Sequence, residues 1–296
     1  MKEQLVEVTD CWTSPKAVLK CVGPKLVPFF KTATIYFVLA IPYENPSWFS
    51  CLIKCLPILS LCVFVLLHGM SLAEKHAYSR KILAGLIFSC IGDALITWPC
   101  YFIWGMVSFT FAHFLYIWGF GMKPLNPLAG LASTGVALIA YYALFPGLYG
   151  AFVWLVPLYV MILTIMVWRA VARVQFFEDL WTWTKLCSCA GGILFALSDF
   201  FVGIKMFSLS ATQPLQQTNI MVAYYAAQLG IALSVVDSTT VATLSATYSI
   251  SSTANSCTPI KSNKPIIPVS YQKVTEKLKN VKLANNSPEL ILSKVD

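Results

Sequence analysis

The chain reads as apolar runs of about 17–23 residues separated by short polar breaks. Eight such runs can be drawn: Leu26–Pro42, Trp48–His68, Ile82–Trp98, Tyr101–Phe120, Asn126–Phe145, Tyr149–Trp168, Thr184–Met206 and Asn219–Asp237. Each is near the ~20 residues that an α-helix needs to cross a bilayer. The breaks carry turn chemistry, as in Pro42-Tyr43-Glu44-Asn45-Pro46, Met122-Lys123-Pro124-Leu125-Asn126-Pro127 and Phe145-Pro146-Gly147. Several links are short enough that successive helices should pack antiparallel. The pattern predicts an all-α integral membrane protein, a bundle of about eight transmembrane helices over residues 26–237. A cytosolic N-terminal segment, 1–25, precedes it, and a polar tail, 238–296, follows.

Composition agrees. Of the 296 residues, 57% are hydrophobic and 11% charged, and mean hydropathy is +0.70. A soluble domain carries roughly 25% charged residues, so most of this surface must face lipid. The net charge of +8 would suggest nucleic acid on a soluble protein. Here the basic residues flank apolar runs, so they are read as setting membrane orientation, with no nucleic-acid partner. With the N-terminus cytosolic and eight crossings, 18 of the 21 Lys and Arg fall on the cytosolic side and Lys205 alone on the other, while Lys31 and Lys54 stay inside helices. A different helix count would scramble that asymmetry. It places both termini in the cytosol.

The tail is rich in Ser, Thr and Ala up to Ser256 and basic from Lys261, which reads as largely disordered. Val274–Leu283 has some amphipathic character, and Asn285-Asn286-Ser287 fits a glycosylation pattern that a cytosolic location makes void. Met1 to Lys25 has no apolar core of the length a cleavable signal peptide needs. The ten cysteines include no CxxC pair and are read as packing residues. Trp48, Trp98, Tyr101 and Trp104 suit an aromatic belt at one interface.

Few strongly polar groups lie well inside the apolar runs: Lys31, Lys54, Asp93, His113 and Asp199. A charge at a helix centre costs on the order of 2.5–3.5 kcal/mol on insertion scales, so these side chains should face the bundle interior or a wet cavity. Lys31 also has a simple alternative, snorkelling to an interface, and His113 that of a hydrogen-bonded core residue. Asp93 closes the run Gly85-Leu86-Ile87-Phe88-Ser89-Cys90-Ile91-Gly92-Asp93, and Asp199 the run Gly191-Gly192-Ile193-Leu194-Phe195-Ala196-Leu197-Ser198-Asp199. Both put Gly and Ser beside the carboxylate, and small residues let membrane helices approach closely. Counting rise along each run puts Asp93, Asp199, Lys54 and Tyr224 about 8–10 Å from the non-cytosolic end, and His113 deeper, at roughly 18 Å.

The three histidines, His68, His76 and His113, make no HxxxH or HExxH, so a multi-histidine zinc site is not expected. No GxSxG is present either. Two buried carboxylates remain, a chemistry that needs neither metal nor cofactor.

At these residues the sequence resembles the YhhN-type lysoplasmalogenase family, and most closely its vertebrate members. The matching pieces are Lys54-Cys55-Leu56-Pro57, Gly92-Asp93, Phe109-Thr110-Phe111-Ala112-His113-Phe114-Leu115-Tyr116, Ser198-Asp199 and Tyr224-Tyr225-Ala226-Ala227-Gln228. Their order and spacing over roughly residues 25–237 carry the resemblance. It implies hydrolysis of the vinyl ether bond of lysoplasmalogens to a fatty aldehyde plus glycerophosphocholine or glycerophosphoethanolamine. It also implies Asp93 and Asp199 as the catalytic pair and the endoplasmic reticulum as the compartment. Supporting or substrate-binding candidates are Lys54, His113, Tyr116, Tyr224, Gln228, Lys31, Ser89 and Ser198.

Two carboxylates suit that reaction. An acid protonates the outer alkene carbon, a carboxylate tolerates the resulting oxocarbenium ion, and water completes the cleavage, as at a glycosidase. Lys54 is a candidate for the substrate phosphate or for pairing with one aspartate. The competing reading is a proton-coupled or organic-ion transporter, because intramembrane Asp, Lys and His also mark ion pathways. A receptor or scaffold held by structural ion pairs is a third.

Overall fold

Every apolar run becomes a helix. The computed structural model describes residues 15–39, 46–67, 77–174, 183–207 and 214–236. Among them lie eight α-helices: α1 (Pro15–Leu39), α2 (Trp48–Leu67), α3 (Ala77–Ile96), α4 (Phe102–Phe120), α5 (Pro127–Leu144), α6 (Phe152–Ala172), α7 (Trp183–Phe207) and α8 (Pro214–Leu233). Residues before Pro15 and the 238–296 tail, with Val274–Leu283 and Asn285-Asn286-Ser287, lie outside the described residues. Three helices begin well before their apolar runs: α1 at Pro15 rather than Leu26, α3 at Ala77 rather than Ile82, and α8 at Pro214 rather than Asn219. Hydropathy marks only the apolar part of a helix, whereas backbone hydrogen bonding continues into polar turns such as Tyr78-Ser79-Arg80-Lys81.

Local chemistry sets the ends. The Asn126 side chain accepts from the Ala129 N–H at 3.1 Å, and Pro127 occupies the first turn of α5. Helix α4 stops at Gly121, whose φ of 75° only glycine adopts without strain. Arg169, counted from sequence among the cytosolic charges, lies in the last turn of α6 with no exposed surface. Its Nε donates to Gly121 O at 2.7 Å and its guanidinium NH1 to Pro124 O at 2.9 Å, which holds the α4–α5 link against α6.

Among the described residues five helices are long and apolar enough to cross a membrane: α2, α4, α5, α6 and α7. The chain is a multi-pass membrane protein. The other three are more polar: α1 carries four lysines, α3 Arg80, Lys81 and Asp93, and α8 Gln217, Asn219 and Gln228. Helices α2, α3, α4, α6, α7 and α8 pack in a closed ring, with α1 outside against α2 and α5 outside against α6 and α7. Helix α5 turns Leu128, Leu131, Leu138 and Tyr142 outward, as a lipid-facing helix does. Trp48, at the start of α2, meets Trp98 beyond the end of α3 with ring centroids 4.8 Å apart. Tyr101 and Trp104 are exposed near them, so the aromatic residues share one rim.

The small residues beside the carboxylates do pack helices closely. A Cβ on Gly92 would lie 2.7 Å from the Phe109 ring across α3–α4, and one on Gly85 would strike the Tyr116 ring. Across α7–α8, a Cβ on Gly191 would lie 2.8 Å from Ala227 O, and one on Gly230 2.8 Å from Cys187 O. The obstacle there is backbone, which cannot swing aside. Gly191→Val is therefore expected to destabilise the bundle by about 1–3 kcal/mol, read as a lower thermal midpoint in detergent. An unchanged midpoint would mean that α7 and α8 do not meet there.

Candidate active site

Asp93 sits at the junction of α2, α3 and α8. Its side chain is 3% exposed, and Oδ2 accepts a 2.6 Å hydrogen bond from Tyr224 OH. Lys54 Nζ lies 3.5 Å from Oδ1 and also donates to the Asp93 main-chain oxygen at 3.4 Å. Tyr225 OH in turn donates to Lys54 O at 2.9 Å. An ion pair this buried stands only when its remaining lone pairs and protons are also met; here Tyr224 donates to the carboxylate and the Asp93 main-chain oxygen accepts from the ammonium.

Asp199 sits at the junction of α4, α6 and α7. Its Oδ2 accepts from Tyr159 OH at 2.6 Å. His113 Nε2 is 3.0 Å from the same hydroxyl and 3.5 Å from Asp199 Oδ2. Since the Tyr159 proton goes to Asp199, its oxygen is left to accept, which assigns the imidazole proton to Nε2. His113 Nδ1 is buried without a hydrogen-bond partner. The Asp199 side chain is 19% exposed, so it is wetter than Asp93.

Aromatic rings separate the two clusters. Phe195 packs on His113 at 4.7 Å and on Tyr224 at 5.6 Å, and Phe109 meets both Phe195 and Tyr224 at about 6 Å. Both carboxylates open onto one cavity of about 790 Å³, within the range of small-molecule sites. Its polar wall includes Lys54, Asp93, Tyr159, Ser198, Asp199, Lys205, Gln217 and Tyr224, and its long wall is the largely apolar flank of α5 and α6.

The residues singled out from sequence are divided by the fold. Asp93, Asp199, Lys54, Tyr224 and Ser198 line the cavity, and Ser198 Oγ also donates to Ile220 O at 3.1 Å. His113 stands behind Tyr159 with no exposed surface. The rise count placed it apart from Asp199. The observed helix ends, Phe102 and Phe207, reduce that separation to roughly 4–5 Å, which side chains span. Ser89, Tyr116 and Gln228 form a chain of their own across α3, α4 and α8, with Ser89 Oγ 3.3 Å from Tyr116 OH and that hydroxyl donating to Gln228 Oε1 at 3.0 Å. All three are fully buried and none lines the cavity. Lys31 is exposed on α1 and also off the cavity wall. Tyr159 went unrecognised in the sequence. Its one signal was a hydroxyl in the middle of an apolar helix, where a buried tyrosine seeks a partner.

A model of the YhhN family matches residues 49–235. The chain belongs to the YhhN family. The match runs from α2 to the end of α8, so it takes in the ring and α5 and leaves α1 outside. Relatives extend the likeness. Lysoplasmalogenase TMEM86A of Bos taurus is 44% identical over 227 residues, covering 76% of this chain and 94% of the relative. The TMEM86A of Homo sapiens is 41% identical over the same length. Lysoplasmalogenase TMEM86B of Sus scrofa is 37% identical over 224 residues, covering 72% of this chain and 87% of its own. No solved structure matches this YhhN chain.

Proposed function

We propose that the chain is a lysoplasmalogenase that cleaves the vinyl ether of a lysoplasmalogen with Asp93 and Asp199. The observation that carries this reading is two carboxylates, from two separate three-helix clusters, opening onto one largely apolar cavity. An aldehyde-forming cleavage of a single-chain lipid needs both parts, an acid–base pair and an apolar berth.

In this reading Asp93, paired with Lys54, is the anion, and Asp199 carries the proton. Asp199 protonates the outer alkene carbon, and the electron pair of the double bond forms the new C–H bond. Positive charge then resides on the carbon bound to the ether oxygen. The Asp93 carboxylate stabilises it in a site whose dipoles are already in place. Water adds to that carbon and gives up a proton to the Asp199 carboxylate. The hemiacetal collapses to fatty aldehyde and the glycerophospho alcohol, and both carboxyl groups return to their starting states. His113 and Tyr159 hold Asp199 from behind. The endoplasmic reticulum is the compartment proposed, on the nature of the lipid substrate.

The test is fatty aldehyde release from a vinyl-ether lysophospholipid by the purified protein in detergent. Aldehyde formation supports the reading. Folded protein that releases none, with either choline or ethanolamine head groups, defeats it in favour of transport, which flux across vesicles would reveal. Tyr159→Phe is expected to lower kcat roughly tenfold with the fold intact, because it removes one hydrogen bond to the carboxylate that Asp199 becomes as it gives up its proton. Wild-type turnover would mean that Asp199 needs no such support.

A further inference from the structure

One cation on the cavity wall has no part in the reaction as proposed. Lys205 stands in the last turn of α7 and lines the cavity. Its Nζ donates to Gln217 Oε1, near the start of α8, at 2.7 Å, and Gln217 lines the cavity too. Lys54, the other ammonium on that wall, is spent on Asp93 at 3.5 Å. We propose that Lys205 and Gln217 form the subsite for the phosphodiester of a single-chain phospholipid. The substrate's head group would sit at this end of the cavity and its hydrocarbon chain along the α5–α6 wall. The inference rests on the lipid-cleaving reading of the same cavity and names the residues that would choose the head-group charge.

Three features of the cavity support this direction. First, the lysine end is defined: a Cβ on Gly203 would lie 2.8 Å from Leu144 Cδ1, so Lys205 belongs to the end of the cavity where α5 finishes. Second, the opposite end is apolar and long. Ala129 and Ala132 of α5 and Val167 and Val171 of α6 line it. From Ala129 to Leu144 helix α5 rises about 22 Å, more than the ~15 Å of hydrocarbon in one leaflet. Third, the carboxylates lie between. Asp199 and Lys205 are separated by about 9 Å of helix rise. In the substrate the vinyl carbon and the phosphorus are about seven bonds apart, roughly 8–9 Å extended. A phosphodiester at Lys205 therefore sets the vinyl ether at Asp199. The ammonium supplies charge as a point donor, and the Gln217 NH2 offers a second donor.

Binding tests this without turnover. The full-length protein in lipid nanodiscs would be titrated with 1-O-alkyl-glycerophosphocholine, which lacks the vinyl bond, and with 1-O-alkylglycerol, which lacks the phosphate. Lys205→Gln is expected to weaken the phosphate-bearing ligand roughly 10–100-fold and to leave the alkylglycerol unchanged. Lys205→Arg should retain most of the affinity. Equal losses for both ligands would show a merely structural lysine, and an unchanged affinity for the phospholipid would remove the subsite altogether; either overturns the proposal. Inorganic phosphate is the competitor that separates sources, since displacement of the lipid by the free anion at similar affinity would sink a head-group site. If the wild type binds the alkyl phospholipid through Lys205 yet releases no aldehyde from the vinyl ether, the subsite stands and the hydrolase reading fails.

Discussion

Aldehyde release by Asp93→Asn is expected to fall roughly 10²–10³-fold, the usual cost of losing one group that stabilises the charge of the transition state. Asn keeps the shape and can still accept from Tyr224, whose 2.6 Å bond survives. What vanishes is the negative charge. Lys54 Nζ, now 3.5 Å from that carboxylate, is left facing a neutral amide. The same wall then presents the Lys54 charge without the Asp93 anion to a cationic transition state, so the barrier rises from both sides. A buried pair broken on one side also costs stability, about 3–5 kcal/mol. The control is therefore Asp93→Asn with Lys54→Met, which removes both charges and should restore the thermal midpoint but not the activity. Activity in the well-folded double variant would show that the Asp93 carboxylate is not required.

Asp199→Asn is expected to lower turnover roughly 10²–10⁴-fold, the usual contribution of one acid–base group, by a different loss. The amide keeps a hydrogen bond with Tyr159 but has no acidic proton for the alkene carbon. Asp199 is part-exposed to the cavity and among the described residues has no lysine in contact, so stability should change far less than at Asp93. kcat should fall while KM holds, because the group acts on the transition state. The Asp93→Asn, Asp199→Asn double variant should lose little beyond either single one, since groups acting as a unit are not additive. Multiplied losses would mean that the two carboxylates act independently, and wild-type kcat in Asp199→Asn would remove it from the proton transfer.

Much of the fold was legible because the bilayer permits so few solutions. A backbone without water must satisfy its own hydrogen bonds, so apolar runs near twenty residues become helices, and all eight did. The helix starts were less legible, since Pro15, Ala77 and Pro214 lie in polar turns beyond the apolar runs. Cavity-lining residues were legible where burial is costly. A charge inside an apolar run cannot be accidental, and Asp93, Asp199 and Lys54 all reach the cavity. Residues whose presence costs little gave no such signal. A tyrosine is tolerated almost anywhere in a membrane helix, so Tyr159 passed unnoticed, while Tyr116 and Gln228 look like site residues in one dimension and are held off the cavity in three.

Sequence by itself determined that this chain is a multi-pass helical membrane protein with two costly carboxylates. Composition and the price of burying charge act on each segment separately, so they can be read one residue at a time. Only the tertiary structure decided the partners: Lys54 and Tyr224 with Asp93, Tyr159 and His113 with Asp199, and Gln217 with Lys205. These pairs join different helices, and their geometry depends on how closely those helices approach and how far each is rotated. Gly92 and Gly191 allow that closeness, but a glycine in a sequence does not say which helix will come to meet it.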